Sequence, residues 1–446
     1  MINRKRLKMQ IPENVKNIGN KLIRAGYESY IIGGAVRDWS FKITPSDYDL
    51  FSNATGEQIL KLFPNGKIIG GEERQKKILT VVVGGVEISQ FRSNGDRTEV
   101  GNTLEEHLST CDFTLNAIAY NMKTEKIIDP HSGFIEIFDP DGKIIAVGDP
   151  EKRIKEDKLR AFRAVRFSAK FNMEIDKDLL QVIQKTEIDD ISVERIREEI
   201  LKIFQYKNSI RLLHKTGLLT QIFPEFLTLN VDGGRHHNEP VFEHCLMAHN
   251  NIINYTDNKL LIFAAPFHDV GKGYTIEYNK EKQSNTFVNH EIKGEKIIKK
   301  IMRRLKFSKE DIKYVSTLVL YHMSGMDDNM NNSNMKKLFR ELASGGVDIH
   351  DMVLYQYCDK QANKKNDKIK FHEYLKEKQL LKTYHKLRKE DFALTVGELD
   401  INGYDLMKLG IYGSDLGMLL TDILEEVDAG LLRNKKKAIL KYVDGY

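Results

Sequence analysis

The chain has few cysteines and no long apolar segment. Three cysteines, Cys111, Cys245 and Cys358, occur in 446 residues, so they cannot all pair with one another, and their spacing fits no metal finger. This usage favours a reducing compartment, and we expect a cytoplasmic protein. The longest apolar run, residues 260–267, is too short to cross a bilayer, and the basic N-terminus lacks the apolar region of a secretory signal. We therefore expect no membrane partner.

The length and charge of the chain indicate how many domains it has and what kind of partner it binds. A chain of 446 residues exceeds one ordinary domain, so we expect two to four. The content of 41% hydrophobic and 30% charged residues is typical of a core-forming globular protein. The net charge of +5 and the basic runs at residues 296–306, 360–370 and 435–437 favour a polyanionic partner, and these runs could follow an RNA backbone.

The most informative motif joins a glycine turn, a cation and paired carboxylates. A strand-like apolar run ends at Gly33 and Gly34, which allow a tight turn with bare N–H groups near a triphosphate. Arg37 follows in the same motif. Alternate residues of a strand share a face, so we expect Asp47 and Asp49 to lie on one strand and point the same way. Such a pair suits Mg²⁺ and indicates metal-assisted nucleotidyl transfer, and two solvated aspartates are the alternative.

This motif resembles the nucleotidyltransferase signature of bacterial-type CCA-adding enzymes (tRNA nucleotidyltransferases) and bacterial poly(A) polymerases. Further segments are similar to that family's later motifs and follow in its order, at residues 112–119, 129–133, 156–167 and 192–199. The resemblance implies catalytic, Mg²⁺-binding carboxylates at Asp47 and Asp49. It implies nucleotide binding by Gly33, Gly34, Arg37, Asp112, Asn116, Asp157, Arg160, Arg163 and Arg166.

Base selection is expected from the fourth motif. Asp157 and Arg160 are three residues apart, so we expect them on one helix face, where they would read the edge of C or A without a template. An ordinary surface ion pair is the alternative. Arg195 is expected to brace this helix. Glu87, in the glycine-turned hairpin predicted at residues 81–92, is either a third carboxylate of the site or a solvated strand residue.

One departure from the family pattern stands out. Thr110 and Cys111 replace the arginine pair that normally opens the second motif, which predicts weaker nucleotide binding or a changed set of steps. Other cations would have to compensate, namely Arg92, Arg97 or those in residues 74–77. The chain also lacks, near residues 70–80, the Gly-Arg-Arg-Phe-type element of poly(A) polymerases, which favours the tRNA enzyme.

A second constellation of histidines and aspartates occupies residues 236–359. The doublet His268-Asp269 inside an apolar run resembles the core of HD-family phosphohydrolases. In that family the metal ligands would be His244, His268, Asp269 and Asp359, and a second metal would use His290 and His322. Mixed imidazole and carboxylate ligands suit Mn, Ni, Co, Fe or Zn ions with open positions for water and phosphate. His236, His237 and His249 have weaker claims.

These patterns predict an α/β nucleotidyltransferase head on a small mixed β-sheet, followed by largely helical parts. We expect the head at about 20–145, a helical neck and body with base selection at about 146–230, an α-helical HD metal-dependent phosphohydrolase domain at about 235–375 and a helical, tRNA-binding tail at about 376–446. The expected activity is addition of CCA to tRNA 3′ ends from CTP and ATP. The alternatives are a CC-adding, A-adding or poly(A)-forming relative, or an HD phosphohydrolase with a degraded RNA-binding head.

Overall fold

The computed structural model describes residues 9–69, 80–93, 99–234, 239–326, 330–363, 368–390 and 392–444. It consists of two compact units, Met1–Arg195 with Leu212–Gln221 and Ile196–Arg211 with Ile222–Tyr446. Arg97, His236, His237 and residues 74–77 lie outside the described residues. Within the described part of the chain, no helix is both long and apolar enough to cross a membrane.

The first unit is built on short strands and helices that alternate along the chain. Its strands are β1 (Tyr30–Ile32), β2 (Leu50–Ser52), β3 (Lys67–Ile69), β4 (Thr80–Val83), β5 (Val86–Gln90), β6 (Ala119–Asn121), β7 (Lys126–Ile128), β8 (Lys143–Ile144) and β9 (Glu174–Ile175). Its helices are α1 (Glu13–Arg24), α2 (Gly34–Ser40), α3 (Gly56–Leu62), α4 (Leu104–Ser109), α5 (Gly133–Phe138), α6 (Pro150–Glu156), α7 (Leu159–Phe171) and α8 (Lys177–Gln184). A 3-10 turn covers Thr114–Asn116.

Seven of these strands, as far as the described residues extend, form one sheet in the order β3-β4-β5-β2-β1-β6-β7. Strands β2 and β5 pair in parallel, and the other neighbours pair antiparallel. The predicted α/β head on a mixed sheet is therefore confirmed. Strands β8 and β9 form a separate parallel pair.

Strand β1 is buried along its whole length because both faces of the sheet are covered. Ile31 packs into one hydrophobic core, whereas Tyr30 and Ile32 pack into another on the opposite side, as the two-residue period of a strand requires. The strand thus fixes the position of the glycine turn that follows it.

The hairpin predicted at residues 81–92 is present as β4 and β5. Gly84 and Gly85 form its two-residue loop with φ angles of +55° and +82°, the left-handed conformation that such tight turns demand and that glycine adopts without strain. The hairpin places β5 beside β2, and therefore beside the paired aspartates.

Further helices complete the chain. In chain order they are α9 (Val193–Ile203), α10 (Ser209–Lys215), α11 (Leu218–Ile222), α12 (Val241–Ile252), α13 (Lys259–Ala264), α14 (Lys272–Thr275), α15 (His290–Arg304), α16 (Lys309–Tyr321), α17 (Asn332–Ser344), α18 (Ile349–Ala362), α19 (Phe371–Glu377), α20 (Gln379–Lys389), α21 (Gly403–Met407), α22 (Gly413–Ala429) and α23 (Lys436–Val443). Turns of 3-10 helix cover Pro224–Leu229, Ala265–Phe267 and Val396–Glu398. The helical character predicted after the head is confirmed.

The second unit adds a feature that the sequence did not predict. Strands β10 (Ile276–Asn279) and β11 (Ser284–Phe287) form an antiparallel hairpin inside the helical HD region. Helix α12 packs against α18, and α15 packs against α16. The tail has its own small core around Leu406, Ile423 and Ile439. The division of the chain into four parts with the boundaries given above stays a prediction.

Candidate functional site

The glycine turn joins β1 to α2. Gly33 has φ of +76°, a conformation that strains any residue with a Cβ atom, and its N–H donates to the carbonyl of Ile118 at 3.1 Å. Gly34 begins α2. This hydrogen bond fixes the turn to the segment that contains Ile118.

The paired aspartates lie just before β2 and not within it, so their predicted place on a strand is wrong. Asp49 directly precedes Leu50, which pairs with Ile88 in parallel register, and this register brings Glu87 beside Asp49. Neighbouring protein atoms displace part of the water around the Asp49 carboxylate, and Glu87 and Asp47 repel its charge. These effects raise the pKa of Asp49 to about 6. Glu87 thus belongs electrostatically with the aspartate pair.

A cavity of about 290 Å³ opens beside these carboxylates. It brings together most of the predicted nucleotide-binding residues, and its lining includes Gly33, Gly34, Arg37, Asp49, Arg92, Thr110, Cys111, Asp112, Asn116, Arg163 and Arg166. Asp47, Asp157 and Arg160 do not line it. The cavity lining therefore combines carboxylates with several guanidinium groups.

Arg37 is buried and engaged inside the protein. Its guanidinium donates to Asp38 at 2.8 Å and to the side-chain oxygen of Asn116 at 2.6 Å, and it lies 4.8 Å from the centre of the Phe167 ring. Lys170 also contacts Asp38, at 3.0 Å. Arg37 thus holds the first and second motifs together at the cavity wall.

Asp112 is the buried acceptor of the second motif. It accepts hydrogen bonds from Arg163 at 2.6 Å and from the side-chain amide of Asn116 at 2.8 Å. Burial alone would raise the pKa of Asp112, but the Arg163 charge and these hydrogen bonds outweigh it and lower the pKa to about 2. The carboxylate is therefore ionised at neutral pH and positions Arg163 and Asn116.

The third motif, at residues 129–133, packs directly against the second motif. A Cβ atom at Gly133 would lie 2.0 Å from the carbonyl oxygen of Thr114, so this backbone approach requires glycine. The Asp129 carboxylate accepts from the N–H groups of Gly133 and Phe134, both at 2.9 Å, and thereby holds the start of α5. The close packing fixes the position of the 3-10 turn that carries Asn116.

Thr110 and Cys111 present no charge to the cavity. The Thr110 hydroxyl donates to the carbonyl of His107 at 2.8 Å, and burial raises the pKa of the Cys111 thiol to about 12. Arg92 lines the same cavity. Arg92, which follows β5, therefore supplies a guanidinium to the same cavity as Thr110 and Cys111, the positions at which the family has its arginine pair.

The predicted shared helix face of Asp157 and Arg160 is wrong. Asp157 lies between α6 and α7, where the helix is interrupted. The Arg160 side chain is 1% exposed and donates to Glu156 at 2.5 Å and to the carbonyl of Arg153 at 2.8 Å. Arg160 is thus a buried residue that ties α7 to α6.

Asp157 instead pairs with the last motif. Its carboxylate accepts from Arg195 at 2.8 and 3.0 Å, so Arg195 fixes its orientation, in keeping with the bracing role predicted for it. The assignment of Asp157 to base selection stays a prediction.

The second unit contains two tight groups of potential metal ligands. One group is His244, His268 and Asp359, and the other is Asp269, His290 and His322, with the ligand atoms of each group within 4.8 Å of one another. Asp269 connects the groups, since its two oxygens lie 3.2 Å from His268 Nε2 and 3.3 Å from His290 Nε2. Among the described residues, these two are the groups of three potential ligands whose atoms all lie within 4.8 Å of one another, and the carboxylates of the head form no such group.

The backbone sets the tautomer of three of these imidazoles. The Nδ1 atoms of His268, His290 and His322 lie 2.7 to 2.8 Å from the backbone carbonyls of the residues three positions earlier. A carbonyl can only accept, so each Nδ1 carries a proton and Nε2 is the ring nitrogen that can bind a metal. This is the arrangement of metal-ligating histidines.

The lone pairs converge in a way that fits a cation. The Nε2 atoms of His290 and His322 are 3.3 Å apart, and both face the same Asp269 oxygen, at 3.3 and 3.7 Å. The buried His268 Nε2 lies 3.2 Å from Asp269 and 3.3 Å from Asp359 without a well-aligned hydrogen bond to either. Acceptors that face one another without a proton repel, and a bound metal ion removes that repulsion. The residues of both groups therefore fit metal binding.

Two neighbours of this centre were missed by the sequence reasoning. Buried Lys272 lies 2.7 Å from Asp269, and buried Glu239 lies 3.4 Å from His244 Nδ1. Two sequence features could have indicated them: Lys272 lies three residues after Asp269, and Glu239 lies just before α12, the helix that carries His244. His249 is a core residue, since it contacts the carbonyl of Phe204 at 2.9 Å and burial lowers its pKa to about 4.

Comparison with known proteins matches three regions of the chain to family models. Residues 29–140 match the poly A polymerase head domain, residues 172–229 the probable RNA and SrmB-binding site of polymerase A, and residues 241–354 the HD domain. The fold and the two centres define a nucleotidyltransferase head joined to an HD domain. Across these regions the chain resembles bacterial-type CCA-adding enzymes and poly(A) polymerases.

Individual relatives match part of the chain. Poly(A) polymerase I of Salmonella typhi is 31% identical over 284 residues, which cover 58% of this chain and 60% of that protein. The CCA-adding enzyme of Ligilactobacillus salivarius is 35% identical over 211 residues, covering 44% and 51%. The chain therefore spans between half and two thirds of the length of these curated relatives.

Several solved structures match nearly the whole chain. The crystal structure of the Bacillus stearothermophilus CCA-adding enzyme in complex with CTP covers 98% of both chains with a TM-score of 0.64 and 22% identity. At this identity the match shows the shared fold.

Proposed function

We propose that this protein adds CCA, without a template, to the 3′ end of tRNA from CTP and ATP. The observation that carries the proposal is the cavity whose lining includes Asp49 together with Arg92, Arg163 and Arg166. A nucleoside triphosphate needs this combination, because its phosphates bind cations while carboxylates hold the metal that accompanies them. The similarity to CCA-adding enzymes in sequence and fold supports the choice of product.

The head residues would divide the work as follows. Asp47 and Asp49, with Glu87 beside them, would hold Mg²⁺, which neutralises phosphate charge and favours the ionised 3′-hydroxyl. The arginines of the cavity wall would bind the triphosphate and align its α-phosphorus. The 3′ oxygen of the RNA then bonds to that phosphorus, pyrophosphate leaves, and the hydroxyl proton passes to solvent.

Base selection would rest on Asp157. Its carboxylate can accept from the exocyclic amine that C and A share, and Arg195 holds it in one orientation. Arg160, which resemblance assigns to the same task, acts from within the protein by fixing the start of α7.

Incorporation of labelled CMP and AMP into tRNA that lacks its last three nucleotides tests the head. We expect Asp49→Ala and Asp47→Ala to abolish incorporation, whereas His322→Ala in the HD centre keeps it. Full incorporation by the aspartate variants would contradict the assignment. A stop at CC, addition of A alone or a long A tail would instead identify the partial-activity or poly(A)-forming relative.

A second activity is supported by the imidazole clusters of the other unit. We propose that they hold Mn, Ni, Co, Fe or Zn ions and hydrolyse 2′,3′-cyclic, 2′- or 3′-phosphates. The metal would activate water and polarise the phosphate, while Lys272 keeps Asp269 ionised and oriented. Water adds to phosphorus, the ester P–O bond breaks, and the leaving oxygen takes a proton.

Hydrolysis of 2′,3′-cyclic AMP with each metal tests this centre. We expect His268→Ala to abolish it and Asp49→Ala to leave it unchanged. Hydrolysis that survives His268→Ala at the wild-type rate would contradict the proposed centre. The tail and the basic runs are predicted to bind tRNA, and a cytoplasmic location stays a prediction.

A further inference from the structure

Helix α15 carries a stripe of exposed cations. Lys293, Lys296, Lys300 and Arg303 are all exposed and follow one another at spacings of three and four residues, so they share one face of the helix. They span eleven residues, or about 15 Å along the axis. Within the described residues, none of the four has an ion pair with a carboxylate. We call this set the basic stripe.

The other cations of the helix are neutralised. Lys299 pairs with Glu295, and Arg304 pairs with Glu225 at 2.9 Å. The contrast shows that the charge of α15 is concentrated on one exposed face, which is the charge distribution that attracts a polyanion.

The basic stripe begins at the metal ligands. Helix α15 starts with His290, and Lys293 lies one turn further on, with its Nζ 5.6 Å from the centre of the Tyr274 ring. Tyr274 is 46% exposed and follows two residues after Lys272, which contacts Asp269. An exposed aromatic ring therefore lies between the HD centre and the first cation of the stripe.

The adjoining hairpin extends this aromatic surface. Tyr278 on β10 is 64% exposed, and the carbonyl of Phe287, the last residue of β11, orients His290 at 2.8 Å. The hairpin thus joins an exposed surface to the positioning of a metal ligand. Exposed aromatic rings beside a line of cations are the features that bind single-stranded nucleic acid, because bases stack on the rings while cations follow the phosphates.

We propose that the basic stripe and Tyr274 bind the single-stranded 3′ end of an RNA and hold its terminal phosphate at the HD centre. The substrate that this surface favours at that centre is then an RNA end over a free nucleotide. This inference rests on the proposed phosphohydrolase function. In the reaction, water adds to the terminal phosphorus, the P–O bond to the RNA breaks, and the RNA oxygen leaves as a hydroxyl with a proton.

The test compares two double charge reversals in the full chain. Lys296→Glu with Lys300→Glu alters the stripe, and Lys382→Glu with Lys386→Glu is the matched control, since both pairs are exposed and four residues apart on a helix. The probes are a short unstructured RNA ending in a 3′-phosphate and free 2′,3′-cyclic AMP, with metal content measured for each variant.

We expect the stripe variant to raise KM for the RNA about tenfold. The negative slope of log affinity against log salt concentration should become shallower by about 1.4, the value for two lost phosphate contacts on a single strand. Its metal content and its hydrolysis of cyclic AMP should stay at wild-type values. An unchanged KM for the RNA, or an equal rise in the control variant, would overturn the proposal.

A binding measurement distinguishes two failures: that the stripe does not bind RNA, and that the HD centre does not hydrolyse phosphate esters. An RNA with a photoreactive base next to its 3′-phosphate should crosslink to residues 272–303 of the wild type and lose this crosslink in the stripe variant, even if neither probe is hydrolysed. Crosslinking that is absent or unaffected would refute the RNA track. Equally strong competition by polyglutamate would also refute it, because the stripe would then attract any polyanion.

Discussion

Replacing Asp49 by asparagine should stabilise the metal-free protein while it abolishes nucleotide incorporation. Asp49 is held near Glu87 and Asp47, and its pKa is raised from 3.8 to about 6. A raised pKa means that folding disfavours the charged carboxylate. Asp49→Asn removes this penalty and should therefore stabilise the metal-free protein. It also removes a metal ligand and should therefore abolish activity.

The size of the effect follows from the shift. About two pKa units correspond to about 3 kcal/mol at 1.36 kcal/mol per unit. Asp49 is exposed at the surface, where solvent screens charges, so we expect about 1 kcal/mol. The penalty is complete above pH 6, where Asp49 is charged in both states. It disappears below about pH 4, where the carboxyl is protonated in both the folded and the unfolded chain.

Thermal unfolding in EDTA at pH 7.5 and at pH 4 measures this difference. We expect the midpoint of the first unit to rise by about 3 °C at pH 7.5 and to match the wild type at pH 4. Asp141→Asn, an exposed carboxylate in the same unit, is the control and should change little. A variant that is less stable than wild type at pH 7.5, or that still incorporates CMP, would refute the reasoning.

Three further substitutions test other parts of the account. His322→Ala should remove one of the two ions predicted for the HD centre and weaken metal binding at least about tenfold, as measured by elemental analysis after dialysis. Gly133→Ala should destabilise the first unit by about 2 to 3 kcal/mol in urea unfolding, because the new Cβ would meet the Thr114 carbonyl. Arg195→Gln should release Asp157 and reduce discrimination between CTP and UTP roughly tenfold, as measured by kcat/KM for each nucleotide.

Each of these has a control and a contradicting outcome. His350→Ala, an exposed histidine of the same unit, should leave the metal content unchanged, and two ions retained in His322→Ala would exclude the second group. Gly417→Ala, with no atom near the new Cβ, should not destabilise, and a neutral Gly133→Ala would contradict the packing argument. Unaltered selectivity in Arg195→Gln would separate Arg195 from base selection.

Local patterns predicted the elements of the head. The apolar run before Gly33 is strand β1, and the glycines at 84 and 85 form the expected hairpin turn. Such features depend on residues close in the chain, so the sequence alone contains the information. The resemblance to HD-family phosphohydrolases likewise grouped His244 with Asp359, and the structure brings the two together.

Long-range contacts account for the errors. Arg160 was expected at the surface, but its acceptors come from α6 and the segment before Asp112, and no local pattern shows that burial. The guanidinium of Arg163 reaches Asp112 across 51 positions. The aspartate pair fell outside β2 because strand pairing begins only at Leu50, a boundary that depends on the partner strands.

The most direct test is sequencing of the RNA 3′ ends after incubation of the protein with Mg²⁺, CTP, ATP and tRNA lacking its last three nucleotides. The account predicts ends that read CCA and extend no further, which would also show that Thr110 and Cys111 are tolerated. No added nucleotide, under conditions in which an active control enzyme completes the tRNA, would contradict it.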